Sequence, residues 1–323
     1  MAQKVAQLQC CERGTLGTST LHLFWDLFGM LAGRPVAIYL DAGAYPIVRW
    51  GVERAGARGV PVRTFSHHNA DELQHRLKQD AGGRTRPWVV TDAFCPGCGK
   101  LAPLAAYMEC AREYGGCLVL DDTQALGILG HSPGPRAPYG RGGGGAVPWA
   151  QIRGPDVIVV SSMAKAFGAP IAVLAGCQAA VEDFESNSQT RVHCSPPSIA
   201  AIRAAERALI VNREWGDSLR RRLARLVVHF RHRTARAGFS FRGGIFPVQT
   251  LVPYPDMDAV GLHKRLSELG TRTVLHDARN GSGARISFLI TCRHAPREIE
   301  VAAGRLARSV SCATRPAGAS ATA

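Results

Sequence analysis

Three short stretches of this sequence hold residue types whose spacing invites chemistry. The first is Ser161-Ser162-Met163-Ala164-Lys165-Ala166-Phe167-Gly168, directly after an apolar run at 157–160. A lysine flanked by small residues at the end of a buried strand can be approached closely by a ligand. Desolvation there lowers its pKa and makes the amine a nucleophile toward an aldehyde. The second is Leu120-Asp121-Asp122-Thr123-Gln124, which closes another apolar run. A buried carboxylate at that point requires a cationic partner, such as a protonated ring nitrogen. The third is Gly17-Thr18-Ser19-Thr20, ahead of an apolar helix at 21–31. Free N–H groups at a helix start, with hydroxyls beside them, form a cup for a phosphate monoester. Each has a plainer reading alone: a lysine at a loop mouth, capping by Asp122 and Thr123, and an ordinary N-cap. Their order along the chain is what joins them into one candidate site.

Positioning such residues takes a sheet. Strand-like runs at 37–40, 62–65, 88–91, 117–120, 157–160 and 171–175 alternate with helical stretches at 47–57, 71–78 and 102–114. Continuous Val/Ile/Leu runs between helices predict an α/β fold with a large, buried, mostly parallel sheet, and ligand chemistry belongs at the carboxyl ends of its strands. Pro196-Pro197 opens a long helix over 198–237, and a smaller C-terminal α+β unit follows. Its strands are expected at 247–252, 272–275 and 285–290, with helices at 257–269 and 296–307. The expected domains are a large one at 1–195, a connecting helix at 196–237, a small domain at 238–311 and a disordered tail at 312–323. The Gly- and Pro-rich stretch 131–148 lacks the ending of a phosphate-binding P-loop and reads as a flexible connection.

Composition narrows the function classes. The chain has 323 residues, 46% hydrophobic and 20% charged, an ordinary globular composition. No apolar run reaches the ~20 residues of a membrane span, and the start has no apolar leader segment. Ten cysteines in such a chain are expected as reduced thiols of a cytoplasmic protein. Cys95-Pro96-Gly97-Cys98 is a single CxxC without a second pair of suitable spacing, so no metal site is expected. The net charge of +14 includes the arginines at 220–222, 225, 231, 233 and 236. They read as a solvated helix face or as a surface for coenzyme A or an acidic carrier protein. No motif points to nucleic acid.

Four blocks carry a resemblance to a known family: Thr91-Asp92-Ala93-Phe94, Leu101-Ala102-Pro103-Leu104, the run from Asp121-Asp122-Thr123-Gln124 through Gly130, and Lys165-Ala166-Phe167-Gly168. They resemble the α-oxoamine synthases, fold-type-I enzymes of the class I/II aminotransferase superfamily that depend on pyridoxal 5'-phosphate (PLP). The family includes 8-amino-7-oxononanoate synthase, glycine C-acetyltransferase, 5-aminolevulinate synthase and serine palmitoyltransferase. The resemblance runs from Gly17 to Leu306. It implies that Lys165 carries PLP as a Schiff base and later removes the α-proton, and that Asp121 pairs with the pyridine nitrogen. Ser162, Ser19 and Thr20 match the phosphate site. Arg285 matches the arginine that holds the substrate carboxylate, a bidentate pairing suited to guanidinium.

Two positions depart from the family. Gln124 stands where the family usually has a histidine at the cofactor's phenolic oxygen, and Tyr45 stands where a ring-stacking histidine is usual. Gln can donate a hydrogen bond without changing charge near neutral pH, and Tyr can stack. The family's N-terminal arm, which helps close the active site, is expected to be missing ahead of the phosphate loop. The resemblance implies condensation of an amino acid with an acyl thioester, carried on coenzyme A or an acyl carrier protein, with loss of CO2, in a homodimer. An aminotransferase on the same fold is the alternative, and a catalytically inactive partner subunit the third. Retention of Lys165, Asp121 and Arg285 argues against the third.

Overall fold

The computed structural model describes residues 1–254, 257–277 and 283–311. The expected tail at 312–323 lies outside the described residues. The chain divides into two compact units, Met1–Cys95 with Leu101–Ser218, and Pro96–Lys100 with Leu219 onward.

The first unit begins with α1 (Ala2–Leu8), β1 (Arg13–Gly17), α2 (Thr20–Gly29), β2 (Val36–Asp41), α3 (Pro46–Ala57), β3 (Val62–Phe65), α4 (Ala70–Gln79) and β4 (Arg86–Asp92). A short hairpin, β5 (Phe94–Cys95) and β6 (Lys100–Leu101), precedes α5 (Leu104–Glu113) and β7 (Cys117–Asp121). Then come α6 (Ala146–Trp149), β8 (Val157–Ser162), β9 (Ala172–Gly176), α7 (Gln178–Asn187) and α8 (Gln189–His193). The long α9 (Ile199–Arg236) runs across the division between the units.

Seven strands form one sheet in the order β1-β9-β8-β7-β4-β2-β3. β3, β2, β4, β7 and β8 are parallel neighbours. β2 and β7 are buried along their whole length, as a sheet covered on both faces requires. On one face Ile38, Leu40, Val90, Val119 and Val160 pack with Phe24, Phe28, Val48 and Val52 of α2 and α3. Burying each such side chain is worth roughly 1.5–3 kcal/mol. The helix starts are locally encoded: Pro46 opens α3, and Asn69 Oδ1 accepts from Glu72 N–H at 3.0 Å to cap α4.

The sheet is mostly parallel, as expected; β9 pairs antiparallel with β8, because residues 163–171 are too few for a crossover of about a dozen residues. β1 was not anticipated; it is half-buried and short, and pairs antiparallel with β9. The stretch 131–148 is not a flexible connection. Its backbone is tied by Gly127 N–H to Gly143 O (2.8 Å), Gly145 N–H to Leu129 O (2.8 Å) and the His131–Arg141 bridge, and it ends in α6.

The second unit holds the end of α9, β10 (Phe241–Arg242), β11 (Val248–Leu251), α10 (Ala259–Glu268), β12 (Val274–Asp277), β13 (Ala284–Leu289) and α11 (Pro296–Ser311). Its antiparallel sheet has the order β10-β11-β13-β12. Phe230, Phe241 and Phe288 form its aromatic core, with ring centroids 5.0–5.8 Å apart. β12 starts later than the expected 272 because Gly270, at φ 78°, and a Thr271 N–H to Leu266 O bond of 2.7 Å first close the end of α10.

Candidate active site

Sheet register brings the candidate residues of the first unit to one edge. Asp92 at the end of β4 lies beside Asp121 at the end of β7. Asp121 pairs with Val160 on β8, two residues before Ser162. Ser162 pairs with Ala172, and Ala172 pairs in turn with Gly17 at the end of β1. Asp41 ends β2, the strand at which the order reverses between β3 and β4. In open α/β sheets ligands bind outside the carboxyl ends of strands near such a reversal.

Asp121 is buried, and Thr123 N–H donates to its Oδ1 at 3.0 Å. Burial pushes its carboxyl above the ordinary range, opposed by hydrogen bonds from Thr123 and by the Lys165 charge. Thr123 also ties the neighbouring strand end, since its Oγ1 accepts from Ser162 N–H at 3.0 Å. Ser162 Oγ is half-buried and accepts from Ala164 N–H at 3.2 Å, which leaves its hydroxyl proton available to an anion.

Lys165 is exposed, against the expectation that it lies desolvated. The turn that carries it is firmly based: Met163 is fully buried, and its N–H donates to Ile171 O at 2.9 Å. Gly127, at φ 83°, packs against this turn, and a Cβ there would come within 2.6 Å of Ala166 Cβ.

At the other end of the edge the N-cap reading of Ser19 holds. Its Oγ accepts from His22 N–H at 3.4 Å and lies 2.8 Å from His22 Nδ1. Thr20 is the first residue of α2 and half-buried. A cavity of about 260 Å³ opens beside this helix start, bordered by Gly17, Thr18, His22, Arg191 and Ser195. Tyr45 precedes α3 and is 46% exposed, and its N–H donates to Asp92 Oδ1 at 3.1 Å. Gln124 is half-buried in the turn after Asp121. Arg285 lies in the second unit, on β13 opposite His276 of β12.

Behind this edge, Asp122, expected only as a capping residue, and the Asp41–His67 pair do more than sequence reasoning expected. Asp122 is fully buried, and burial pushes its carboxyl up to about 8. It accepts from Ala146 N–H (3.1 Å), so it serves the start of α6 rather than its own turn. Asp41 is held below the ordinary carboxylate range by His67, Gly43 N–H and His68 N–H, against the opposing effect of burial. His67 Nδ1 lies 2.7 Å from Asp41 Oδ1, and that bond, with a smaller effect from Cys95, raises the imidazole to about 9. Only the repeated Asp at strand ends could have signalled these roles.

The donor set fits PLP. A buried carboxylate whose charge burial opposes suits a protonated ring nitrogen, a free hydroxyl and a helix start suit a phosphate, and an accessible amine suits an aldehyde. Comparison with known proteins agrees. Residues 17–306 match the family model described as aminotransferase class I and II. The chain is 31% identical over 302 residues to an 8-amino-7-oxononanoate synthase of Sodalis glossinidius, covering 93% of this chain and 73% of that one. A second such synthase, from Alkalilimnicola ehrlichii, is 28% identical, with 84% and 66% covered. In fold, the chain is similar to a serine palmitoyltransferase of Sphingomonas wittichii (TM-score 0.84, 16% identity, 96% and 75% covered). It is also similar to 8-amino-7-oxononanoate synthase of Francisella tularensis (TM-score 0.76, 17% identity, 97% and 86% covered). The chain belongs to the aminotransferase class I and II family, among its α-oxoamine synthases.

Proposed function

We propose that this protein is a PLP-dependent transferase that condenses an amino acid with an acyl thioester and releases CO2. The observation that carries the reading is the common sheet edge: Asp121 and Ser162 end neighbouring strands, Gly17 ends a strand one further along across Ala172, and the Lys165 turn leaves from the Ser162 end. When bound, PLP supplies an electron sink for negative charge at the substrate Cα.

The chain's own residues set up that chemistry. Asp121 keeps a proton on the pyridine nitrogen. Ser162 and the N–H groups at the start of α2, around Ser19 and Thr20, hold the phosphate. Tyr45 would hold the ring by stacking, and Gln124 would donate to the phenolic oxygen. Lys165 Nζ would hold the cofactor aldehyde, and as a free amine the same group would take the substrate's α-proton as general base. Arg285, in the second unit, would hold the substrate carboxylate with its guanidinium.

The acyl donor is a thioester of coenzyme A or of an acyl carrier protein, and the assembly is a homodimer. We read residues 1–195 as the cofactor-binding domain, with 196–237 as a connecting helix to a small domain at 238–311. No helix among the described residues is long and apolar enough to cross a membrane. We place the protein in the cytoplasm, where the ten cysteines of the chain would stay reduced.

The purified protein is expected to be yellow, and borohydride should fix a pyridoxyl group on Lys165. Finding that group on Lys100 or Lys264 would overturn the site. Lys165→Ala should abolish turnover and leave the fold intact. With an amino acid and an acyl thioester, free thiol and CO2 should appear together. Accumulation of pyridoxamine phosphate with an amino acid alone, reversed by a keto acid, would establish the aminotransferase alternative instead.

A further inference from the structure

Gln9 follows α1 and is completely buried. Its Nε2 donates to Ser161 Oγ at 2.9 Å and to Asp122 Oδ2 at 3.3 Å. Its Oε1 is buried with no hydrogen-bond partner. A buried amide far along the chain from both its partners is costly unless those bonds are made.

Strand alternation shows what the bonds connect. Asp121 pairs with Val160, so Asp122 lies beside Ser161. Successive side chains point to opposite faces. Asp121 and Ser162 therefore share one face, and Asp122 and Ser161 share the other, where Gln9 lies. The glycine loop closes the same side, because a Cβ at Gly145 would overlap Asp122 Oδ2 and one at Gly144 would overlap Leu8 O.

We propose that Gln9 is a positioning residue for the cofactor site. By bonding Asp122 and Ser161 at once, it fixes the ends of β7 and β8 against each other, and with them the separation of Asp121 from Ser162. The proposal rests on the PLP reading above. A rigid ligand that must meet a carboxylate at one end and a hydroxyl at the other tolerates little error in that separation.

The groups around Asp122 define the test. Burial raises it most, the Ala146 N–H and Gln9 lower it, and Asp121 adds a smaller rise. Cys11, whose own thiol burial pushes up to about 12, also feels its charge. Asp122 is pushed up to about 8 and is mostly protonated at neutral pH. The Gln amide suits either state: Nε2 donates to the carboxylate, and after a half-turn Oε1 accepts from the carboxyl and from the Ser161 hydroxyl. A Leu suits neither. A Glu suits both partners only while it is protonated, because two carboxylates in contact cannot both ionise.

PLP affinity is measured by absorbance titration at pH 6 and pH 9 in wild type, Gln9→Leu, Gln9→Glu, Ser161→Ala and the Gln9→Leu/Ser161→Ala double variant. Relative to wild type at the same pH, Gln9→Leu should weaken PLP about tenfold at both pH values, the loss of one such contact. Gln9→Glu should stay within about threefold at pH 6 and lose about tenfold or more by pH 9, where both carboxyls seek to ionise. The double variant should be no worse than Gln9→Leu. Wild-type affinity in Gln9→Leu, or Gln9→Glu tracking Gln9→Leu at both pH values, overturns the proposal. Should Gln9→Leu not fold, the rise and fall of Gln9→Glu with pH decides alone. Wild-type protein that takes up no PLP overturns the functional reading itself, a separate result.

Discussion

Asp121 and Gln124 stand three residues apart and do different work. Asp121 is buried, and its ionised form is opposed by that burial, so a cationic ring nitrogen gains much from it. Asp121→Asn should lower kcat about a hundredfold or more, the scale of losing one pre-organised electrostatic partner. Gln124 is half-buried and, in the role proposed for it, would supply a hydrogen bond without a titratable charge. Gln124→His should retain PLP, change kcat by less than about tenfold, and add a limb to the pH–rate profile near the imidazole pKa of about 6.5. Steady-state kinetics over pH checks both. An Asp121→Asn enzyme of undiminished rate would remove Asp121 from the electron sink.

At the scale of elements, the connection from β7 to α6 matters most. The stretch 131–148 is glycine-rich in sequence, yet backbone bonds tie it and Asp122 closes it. Gly145 is at φ 90°, a conformation that side chains disfavour, and its Cα faces the Asp122 carboxyl. Gly145→Ala is expected to cost about 1–3 kcal/mol from backbone strain alone. Gly82→Ala serves as the control: Gly82 has open space around it and no left-handed φ. That change should fall within about 0.5 kcal/mol of wild type. Urea midpoints of the two variants make the comparison, and equal midpoints would mean the loop is as loose as its composition suggests.

For the whole molecule, His67 and the buried carboxyls Asp41 and Asp122 help set how stability follows pH. The His67 imidazole is raised to about 9 from 6.5, mainly by Asp41. The stability it contributes is fully present below pH 6.5 and is lost as pH rises through about 9. Asp122 is raised to about 8 from 3.8 and acts in the same direction over that earlier window. Asp41 is lowered, so its contribution is lost only as pH falls. Tm should therefore decline from neutral pH to about pH 9, and His67→Gln should flatten the upper part of that decline. Differential scanning fluorimetry across pH measures it; an unchanged slope in His67→Gln would assign the decline elsewhere. Sedimentation should give a two-fold dimer, and a catalytically active monomer would contradict the assembly.

The large sheet and the order of its chemical residues were legible in the sequence, because both are local. Apolar runs such as 117–120 must be buried on both faces wherever they pair, and a lysine among alanines marks its turn without reference to any other strand. The helix caps at Asn69 and Asp258 follow the same logic, since each bonds an N–H three residues on. Pairing is different. That β1 lies beside β9, and so brings Gly17 to the same sheet edge as Ser162 with Ala172 between them, depends on which distant backbone satisfies an edge of the sheet. Gln9 is an unremarked polar residue after a short helix until Asp122 and Ser161 bury it. The exposure of Lys165, expected to lie desolvated, was likewise decided by how the 163–171 turn stands out from the sheet. Periodicity and residue type determined the main buried strands and the candidate residues at their ends. Only long-range packing decided which strand ends meet, because a hydrogen bond between residues far apart in the chain leaves no spacing to read.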